Sequence, residues 1–105
     1  LAIKDGSEVT RVNVSDIQWI DAAGDYMCVH ALDGMHIMRK TMKELEQELN
    51  PQLFVRVHRS AIANIRYVKK LVSHISGEYH LILNNDTELK VSRSHRDKVK
   101  AAMKM

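Results

Sequence analysis

The sequence predicts a mostly β fold that carries two short α-helices. Most of its apolar residues alternate with polar ones in short runs, which is the pattern of half-buried strands. Turn residues such as Asp-Gly and Asn-Asn-Asp separate these runs, as they do in antiparallel hairpins. Only two segments place apolar residues at helical spacing, so helices are few. Two long packed helices would contradict this fold class.

Turn chemistry sets the expected strand pairing. Asp33-Gly34 predicts a type I′ turn, because Asp-Gly accepts the positive φ angles that both central positions require. The segment 84–87, Asn-Asn-Asp-Thr, predicts a second hairpin turn. The predicted strands are Ala2–Lys4, Val9–Val14, Ile17–Ala22, Tyr26–Leu32, Met35–Arg39, Phe54–His58, Val68–His74, Glu78–Leu83 and Glu88–Ser92.

The two helices have recognisable starts. Thr41 and Glu44 have the spacing of a capping box, and Asn50-Pro51 ends the first helix. The second helix is expected to start near Ser94 as its N-cap, with Asp97 in its first turn. Their apolar faces are Met42, Leu45 and Leu49 in the first helix, and Val99, Ala102 and Met103 in the second. About forty residues of strand pattern separate the helices, which excludes a helix-turn-helix.

The buried faces of these elements predict a single hydrophobic core. Its expected members are Ile17, Trp19, Val29, Leu45, Phe54, Val57, Leu71, Leu81, Leu83 and Val91.

The composition indicates one folded domain over residues 1–105. Hydrophobic residues make up 45% of the chain and charged residues 28%, as in globular proteins. No apolar run has the length of a transmembrane helix, and no signal peptide is visible. Cys28 is the single cysteine, which fits a reducing cytoplasm. Because the chain begins at Leu1 within a predicted strand, we expect it to be a fragment of a longer protein.

Charge is distributed unevenly along the chain. Residues 1–53 hold five Lys/Arg and nine Asp/Glu, a net charge of −4, whereas residues 54–105 hold eleven and four, a net charge of +7. A basic half of this kind favours contact with a polyanion such as nucleic acid. The alternative is an unevenly charged solvated surface with no partner.

The segment 54–60, FVRVHRS, combines strand periodicity with basic side chains. Its valines would face one side of a strand, and Arg56 and His58 the other. Arg59 and Ser60 would lie at the strand's exit, where a guanidinium can bond guanine or phosphate and a hydroxyl can bond phosphate. Alternatively, Arg56 and Arg59 are ordinary surface charges.

The segment 90–96, KVSRSHR, ends a predicted strand and opens the second helix. A helix start offers free backbone amides to a phosphate, and Arg93 and Arg96 add positive charge there, with Lys98 beyond them. The alternative is that Ser94 only caps the helix and Arg93 is a surface side chain.

Three stretches resemble the LytTR family: IQWIDAAGDYMCVHALDG, MRKTMKELEQELNPQLFVRVHRSAIANIRYV and LKVSRSHRDKV. Their order and spacing match across nearly the whole chain. Members of the family are carboxy-terminal effector domains of bacterial response regulators, including the LytR and AgrA types. The resemblance implies an elongated multi-sheet β fold of about ten short strands with two short helices. It also implies sequence-specific binding of double-stranded DNA, with loop residues inserted into successive major grooves, and transcriptional regulation without enzymatic activity.

The resemblance further implies which residues contact DNA. The family's base readers correspond to Gly24, Asp25 and Tyr26 in one loop, to Arg59 in a second, and to Arg93 in a third. Asp25 and Tyr26 stand where some members carry a basic or histidine side chain. The expected contacts to the DNA backbone are Ser60, His58, Arg56, Ser94, Arg96 and Lys98, and Lys40 is added to them on its charge alone.

The implied partners follow from the same resemblance. They are promoter DNA with paired direct repeats and, in the full-length protein, an amino-terminal receiver domain and its sensor histidine kinase. No cofactor, metal, catalytic residue or membrane contact is implied, and the expected location is the cytoplasm.

Three other functions are less well supported by the pattern. Cys28, His30 and His36 could ligate a metal across a hairpin, but a strand cysteine is more often a core residue. A nuclease built on His58 and Arg59 would need metal-binding acids, and residues 54–105 contain only four acids. RNA readers cluster aromatic residues, which are sparse here. A non-enzymatic protein-interaction or RNA-binding module remains the alternative to DNA binding.

Overall fold

The computed structural model describes residues 1–104, which form ten strands and two α-helices. The strands are β1 (Ala2–Asp5), β2 (Glu8–Arg11), β3 (Ile17–Ala23), β4 (Tyr26–Ala31), β5 (Gly34–Met38), β6 (Phe54–His58), β7 (Ala61–Asn64), β8 (Val68–Ser73), β9 (Tyr79–Leu83) and β10 (Glu88–Val91). The helices are α1 (Met42–Glu48) and α2 (Arg96–Ala102). The molecule is elongated, with extents of 48 × 23 × 21 Å. The predicted mostly β fold class is confirmed.

Within residues 1–104 the strands form three antiparallel sheets. Strands β1 and β2 form a hairpin, and a central sheet has the order β5-β4-β3-β7-β6. A small sheet has the order β10-β9-β8. Because β7 pairs with both β3 and β6, the strand that follows the FVRVHRS segment is an interior strand of the central sheet.

Both faces of the central sheet contribute to buried cores, although Met35 and Ile37 of the edge strand β5 are exposed. One face contacts α1 and the β1–β2 hairpin, and the buried residues there include Ile20, Leu45 and Ile62. The other face contacts the small sheet and α2, and the buried residues there include Val57 and Leu81. We call these the first core and the second core. The predicted single core is therefore two cores, because the central sheet lies between them.

Eight of the ten predicted core residues are buried, and Trp19 and Leu71 are the exceptions. Both are half-buried at the margin of the second core. The Trp19 ring stacks on the His30 ring, with centroids 3.9 Å apart, and also packs against the second core. Leu71 lies on β8, an edge strand of the small sheet, where neighbouring strands cover one side only.

The strand predictions fail at two places. The predicted strand Val9–Val14 ends at Arg11, and a 3₁₀ turn follows at Val14–Asp16 because the Asn13 side chain accepts a hydrogen bond from the Ser15 amide at 3.1 Å. Strand β7 was missed because all four of its residues are buried, so it lacks the alternation that marks a strand. The remaining strands agree with the predictions to within one residue at each end.

The turn and cap predictions have mixed outcomes. The capping box of α1 is confirmed, since the Thr41 hydroxyl accepts from the Glu44 amide at 3.1 Å and Glu44 accepts from the Thr41 amide. The prediction of a type I′ turn at Asp33-Gly34 is wrong. Such a turn requires a positive φ at both residues, and only Gly34 has one, at 131°. The chain instead pairs Ala31 with Gly34 and turns through Leu32-Asp33, one residue earlier.

Ser94 does not cap the second helix. A 3₁₀ turn at Arg93–His95 precedes α2, and Ser92 precedes that turn without a side-chain capping bond. The Ser94 hydroxyl lies 3.3 Å from the Ser92 hydroxyl and 3.2 Å from His95 Nδ1, so it belongs to the turn. Asp97 in the first turn of α2 is confirmed, as is the inward face of Val99.

Candidate nucleic-acid interface

Backbone hydrogen bonds bring three loop segments to one edge of the molecule. The Ser92 amide donates to the Val57 carbonyl at 2.9 Å, which joins the end of β10 to the end of β6. The Ala22 amide donates to the Ser60 carbonyl at 2.9 Å, which joins the end of β3 to the β6–β7 turn. The β3–β4 turn, the β6–β7 turn and the segment after β10 therefore share this edge.

The β6–β7 turn is held by Arg56. Its Nη2 donates to the Arg59 carbonyl at 2.7 Å, and its Nε donates to the His58 carbonyl at 3.3 Å. Its Nη1 lies 3.4 Å from a carboxylate oxygen of Glu46. Because three guanidinium nitrogens contact protein oxygens, Arg56 shapes the turn. The Arg59 side chain at the tip of the turn is exposed.

His58 and Ser60 form a second set of contacts in this turn. The Nδ1 atom of His58 lies 2.9 Å from the Ser60 hydroxyl and accepts from the Ser60 amide at 3.3 Å. An Nδ1 that accepts an amide proton cannot itself carry one in the neutral ring, so the ring proton is assigned to Nε2. Neutral His58 can therefore donate through Nε2 to an anionic oxygen.

Two adjoining clefts follow this edge. One cleft, of about 350 Å³, is lined by residues that include His58, Arg93 and Arg96. The other, of about 340 Å³, is lined by residues that include His58 and Ser60. Lys90 also lines both clefts. We call these the basic clefts, although acidic side chains also contribute to their walls: Asp21, Glu78 and Glu88.

Lys90 was not among the residues predicted to contact DNA. It lies on β10 between the buried Leu89 and Val91, so its side chain points away from the second core. This alternation is visible in the sequence and could have singled out Lys90. Its Nζ lies 3.6 Å from a Glu78 carboxylate oxygen.

Aromatic contacts position the cations of α2. The guanidinium carbon of Arg96 lies 5.1 Å from the centroid of the Tyr79 ring, and Lys100 Nζ lies 4.8 Å from it. Cations over an aromatic face are attracted by its negative charge. A hydrogen bond from Lys100, with the neighbouring positive charges, lowers the pKa of Tyr79 below its ordinary value.

Three other predicted contacts lie away from the basic clefts. The Tyr26 ring contacts the Arg39 guanidinium at 5.8 Å and borders a cleft next to the β1–β2 hairpin. Lys40 forms an ion pair with Glu48. Lys98 borders an apolar groove between α1 and α2. The structure thus groups His58, Ser60, Arg93 and Arg96, and it does not bring Tyr26, Lys40 or Lys98 to them.

Strand register rules out the metal site considered at Cys28, His30 and His36. His36 pairs with Val29, so it lies on the opposite face of the central sheet from Cys28 and His30. His30 Nε2 instead lies 2.8 Å from an Asp21 carboxylate oxygen, and His36 Nε2 lies 3.0 Å from Asp33.

The pH dependence of stability should reflect His95. Its Nδ1 lies 2.6 Å from the Ser92 hydroxyl, and burial, together with the nearby Arg56 charge, lowers the pKa of His95. Below the ordinary histidine pKa the unfolded chain then binds more protons at this site than the folded chain, so folding stability falls with falling pH. We expect His95→Asn, which keeps an acceptor but does not titrate, to lose less stability than the wild type between about pH 7.5 and pH 5.5. Urea unfolding at both pH values measures the difference, and equal losses would contradict the assignment.

Exposed arginines on adjoining loops, a serine hydroxyl and a histidine N–H form a surface suited to phosphates and base edges. These features define a β-rich nucleic-acid-binding domain. The family model for the LytTr DNA-binding domain matches residues 7–104, and the chain belongs to this family of DNA-binding domains. The resemblance stated from the sequence is thereby confirmed.

Known relatives agree with this membership. The chain is 27% identical over 100 residues to the sensory transduction protein LytT of Bacillus subtilis strain 168, a match covering 95% of this chain and 42% of LytT. It is 29% identical over 75 residues to the transcriptional regulatory protein LytR of Staphylococcus aureus strain N315, covering 71% of this chain and 30% of LytR. The chain therefore spans less than half the length of these relatives.

A solved structure has the same fold. It is the LytTr DNA-binding domain of a Bacillus cereus protein described as a methyl-accepting/DNA response regulator, and it superimposes with a TM-score of 0.87 at 21% identity. The match covers 100% of this chain and 96% of that one. In residues 1–104 each of the two helices has seven residues, which is too short to cross a membrane.

Proposed function

We propose that this chain recognises specific sequences in double-stranded DNA and is the output domain of a response regulator that controls transcription. Arg59 and Arg93 read base edges in this proposal, and the residues of the basic clefts bind the phosphates between them. The observation that carries the proposal is the bond between the Ser92 amide and the Val57 carbonyl. It joins the end of β6 to the end of β10, so the loops that carry Arg59 and Arg93 lie side by side.

Exposure and existing contacts support this division of roles. Arg59 and Arg93 are exposed, and a free guanidinium can donate two parallel bonds to the O6 and N7 atoms of guanine. Arg56 is occupied by contacts to carbonyl groups, so its role is to shape the turn that presents Arg59. A turn held in one conformation loses less entropy on binding than a flexible one.

The phosphate contacts are proposed for the side chains that line the basic clefts: His58, Ser60, Lys90 and Arg96. Ser94, exposed in the turn beside Arg93, is a further candidate. Lys40 and Lys98 are proposed to act only through longer-range attraction, because Lys40 pairs with Glu48 and Lys98 borders the groove between α1 and α2. Their effect on affinity should be small and independent of sequence.

The β3–β4 turn is the third proposed contact. Gly24 adopts a φ of +60° there, and Asp25 and Tyr26 are exposed. A carboxylate repels phosphates but can accept a bond from the amino group of cytosine, so Asp25 would favour a C·G pair at its position. Tyr26 is exposed at the same turn while its ring contacts Arg39.

The partners of the whole protein are part of the proposal. LytT and LytR are named for sensory transduction and transcriptional regulation, and this chain matches less than half of each. We propose that the full-length protein also carries an amino-terminal receiver domain that a sensor histidine kinase phosphorylates. The DNA target is expected to contain paired direct repeats, each bound by one copy of the domain.

Fluorescence anisotropy with labelled promoter fragments and a random duplex of equal length tests the function. We expect tighter binding to one fragment than to the random duplex. Affinity for both should fall steeply with salt, because each neutralised phosphate contributes a slope of about −0.9 in log K against log salt. Equal affinity for all duplexes would overturn sequence-specific recognition and favour the interaction-module alternative.

A further inference from the structure

The outer face of the small sheet carries a cluster of metal-ligating side chains. His80 on β9 pairs with Val72 of β8 and Lys90 of β10, so these positions share the face turned away from the second core. His74 follows β8 and Glu88 begins β10, and both lie on the same side as His80. The three side chains therefore come from three different strands or strand ends.

The distances in this cluster suit one shared cation. His80 Nδ1 lies 2.8 Å from Glu88 Oε1, and His74 Nε2 lies 3.9 Å from the same oxygen. One ligand atom from each of His74, His80 and Glu88 lies within 4.8 Å of the others. Ligands at about 2.0–2.2 Å in a tetrahedral zinc site are about 3.4 Å apart, so side-chain shifts on the order of 1 Å would close the site. The rings of His74 and His80 already touch, with centroids 4.4 Å apart.

A second carboxylate orients the central histidine. While His80 Nδ1 faces Glu88, its Nε2 lies 3.4 Å from Glu78 Oε2. Metal-ligating histidines commonly donate their other ring N–H to a carboxylate, which fixes the tautomer and ring orientation.

We propose that His74, His80 and Glu88 bind one divalent transition-metal cation of the Zn²⁺ type, with Glu78 as the positioning residue for His80. Two imidazoles and one carboxylate are a donor set that Zn²⁺ accepts, and a water molecule completes the coordination. His74 and Glu88 are exposed, so the cation can enter without unfolding the sheet. The proposal does not rest on the proposed DNA binding, although Glu78 and Glu88 also line the basic clefts.

Isothermal titration of the 105-residue chain with ZnCl₂ at neutral pH tests the site. We expect one Zn²⁺ per chain in the wild type. His80→Gln and Glu88→Gln should each weaken binding by at least tenfold, on the order of the loss known for metal-site partners, and Glu78→Gln should weaken it about tenfold while keeping one site. His36→Gln is the matched control. His36 also contacts a carboxylate, that of Asp33, but it lies in the central sheet and not in the small sheet.

A second measurement identifies the histidines that bind Zn²⁺ in the chain without substitutions. In ¹H–¹⁵N spectra of the imidazole groups, Zn²⁺ should shift the resonances of His74 and His80 at the first equivalent, and those of His30, His36, His58 and His95 should not move. Equal Zn²⁺ affinity in the wild type and His80→Gln would overturn the proposal. So would first-equivalent shifts confined to the other four histidines, or no heat and no shift at all.

Discussion

Arg59→Ala and Arg93→Ala are each expected to weaken binding to the cognate DNA site by about 1–3 kcal/mol, or about 5- to 150-fold. Each change removes a guanidinium that can bond guanine bidentately from an exposed loop position. Binding to random duplex should fall much less, because the lost bonds are the ones that depend on sequence. Anisotropy titrations of both variants against cognate and random duplexes measure this difference.

Lys40→Ala and Lys98→Ala are the charge-matched controls. Each removes one positive charge outside the basic clefts, so any effect should be similar for every sequence and should flatten the salt slope by about one ion at most. Circular dichroism must show that all four variants are folded. If the arginine variants lose cognate and random DNA equally, Arg59 and Arg93 bind phosphates, and recognition then depends on DNA shape or on the β3–β4 turn.

Leu81→Ala is expected to lower the free energy of unfolding by about 2–5 kcal/mol. Leu81 lies at the centre of β9, is 0% exposed, and packs in the second core between the small sheet and the central sheet. Truncation removes apolar contacts and leaves a cavity that neighbouring strands can fill only in part. Urea unfolding followed by circular dichroism measures the loss.

Leu32→Ala removes the same atoms from a position that is 61% exposed, in the turn between β4 and β5. Its effect should stay within about 0.5 kcal/mol, because the side chain packs little in the folded state. Similar losses in Leu81→Ala and Leu32→Ala would show that the second core does not hold the two sheets together. The arrangement of the basic clefts would then need another explanation, since β10 belongs to the small sheet and β6 to the central sheet.

Patterns of residues close together in the chain predicted the start of helix α1 and the extent of strand β6. The capping box at Thr41 and Glu44 gave the start of α1, because it requires only residues three apart in the chain. The alternation of valines with Arg56 and His58 predicted β6 with its observed ends, because the two valines are buried and the two basic side chains are only partly buried. Arg59 and Arg93 were likewise selected from the sequence, as cations at predicted strand exits and by resemblance to a known family.

Long-range pairing decided the rest. Strand β7 has no alternation because the first and second cores bury both of its faces, a fact of packing that its four letters cannot show. The placement of Lys40 and Lys98 outside the basic clefts is likewise set by how α1 and α2 pack. His74, His80 and Glu88 are up to fourteen positions apart in the chain and meet only because β8, β9 and β10 pair in one register. Local sequence patterns predicted nine of the ten strands of residues 1–104, together with the polar or apolar character of their side chains. Which strands are neighbours depended on folding, because pairing register depends on contacts between distant residues.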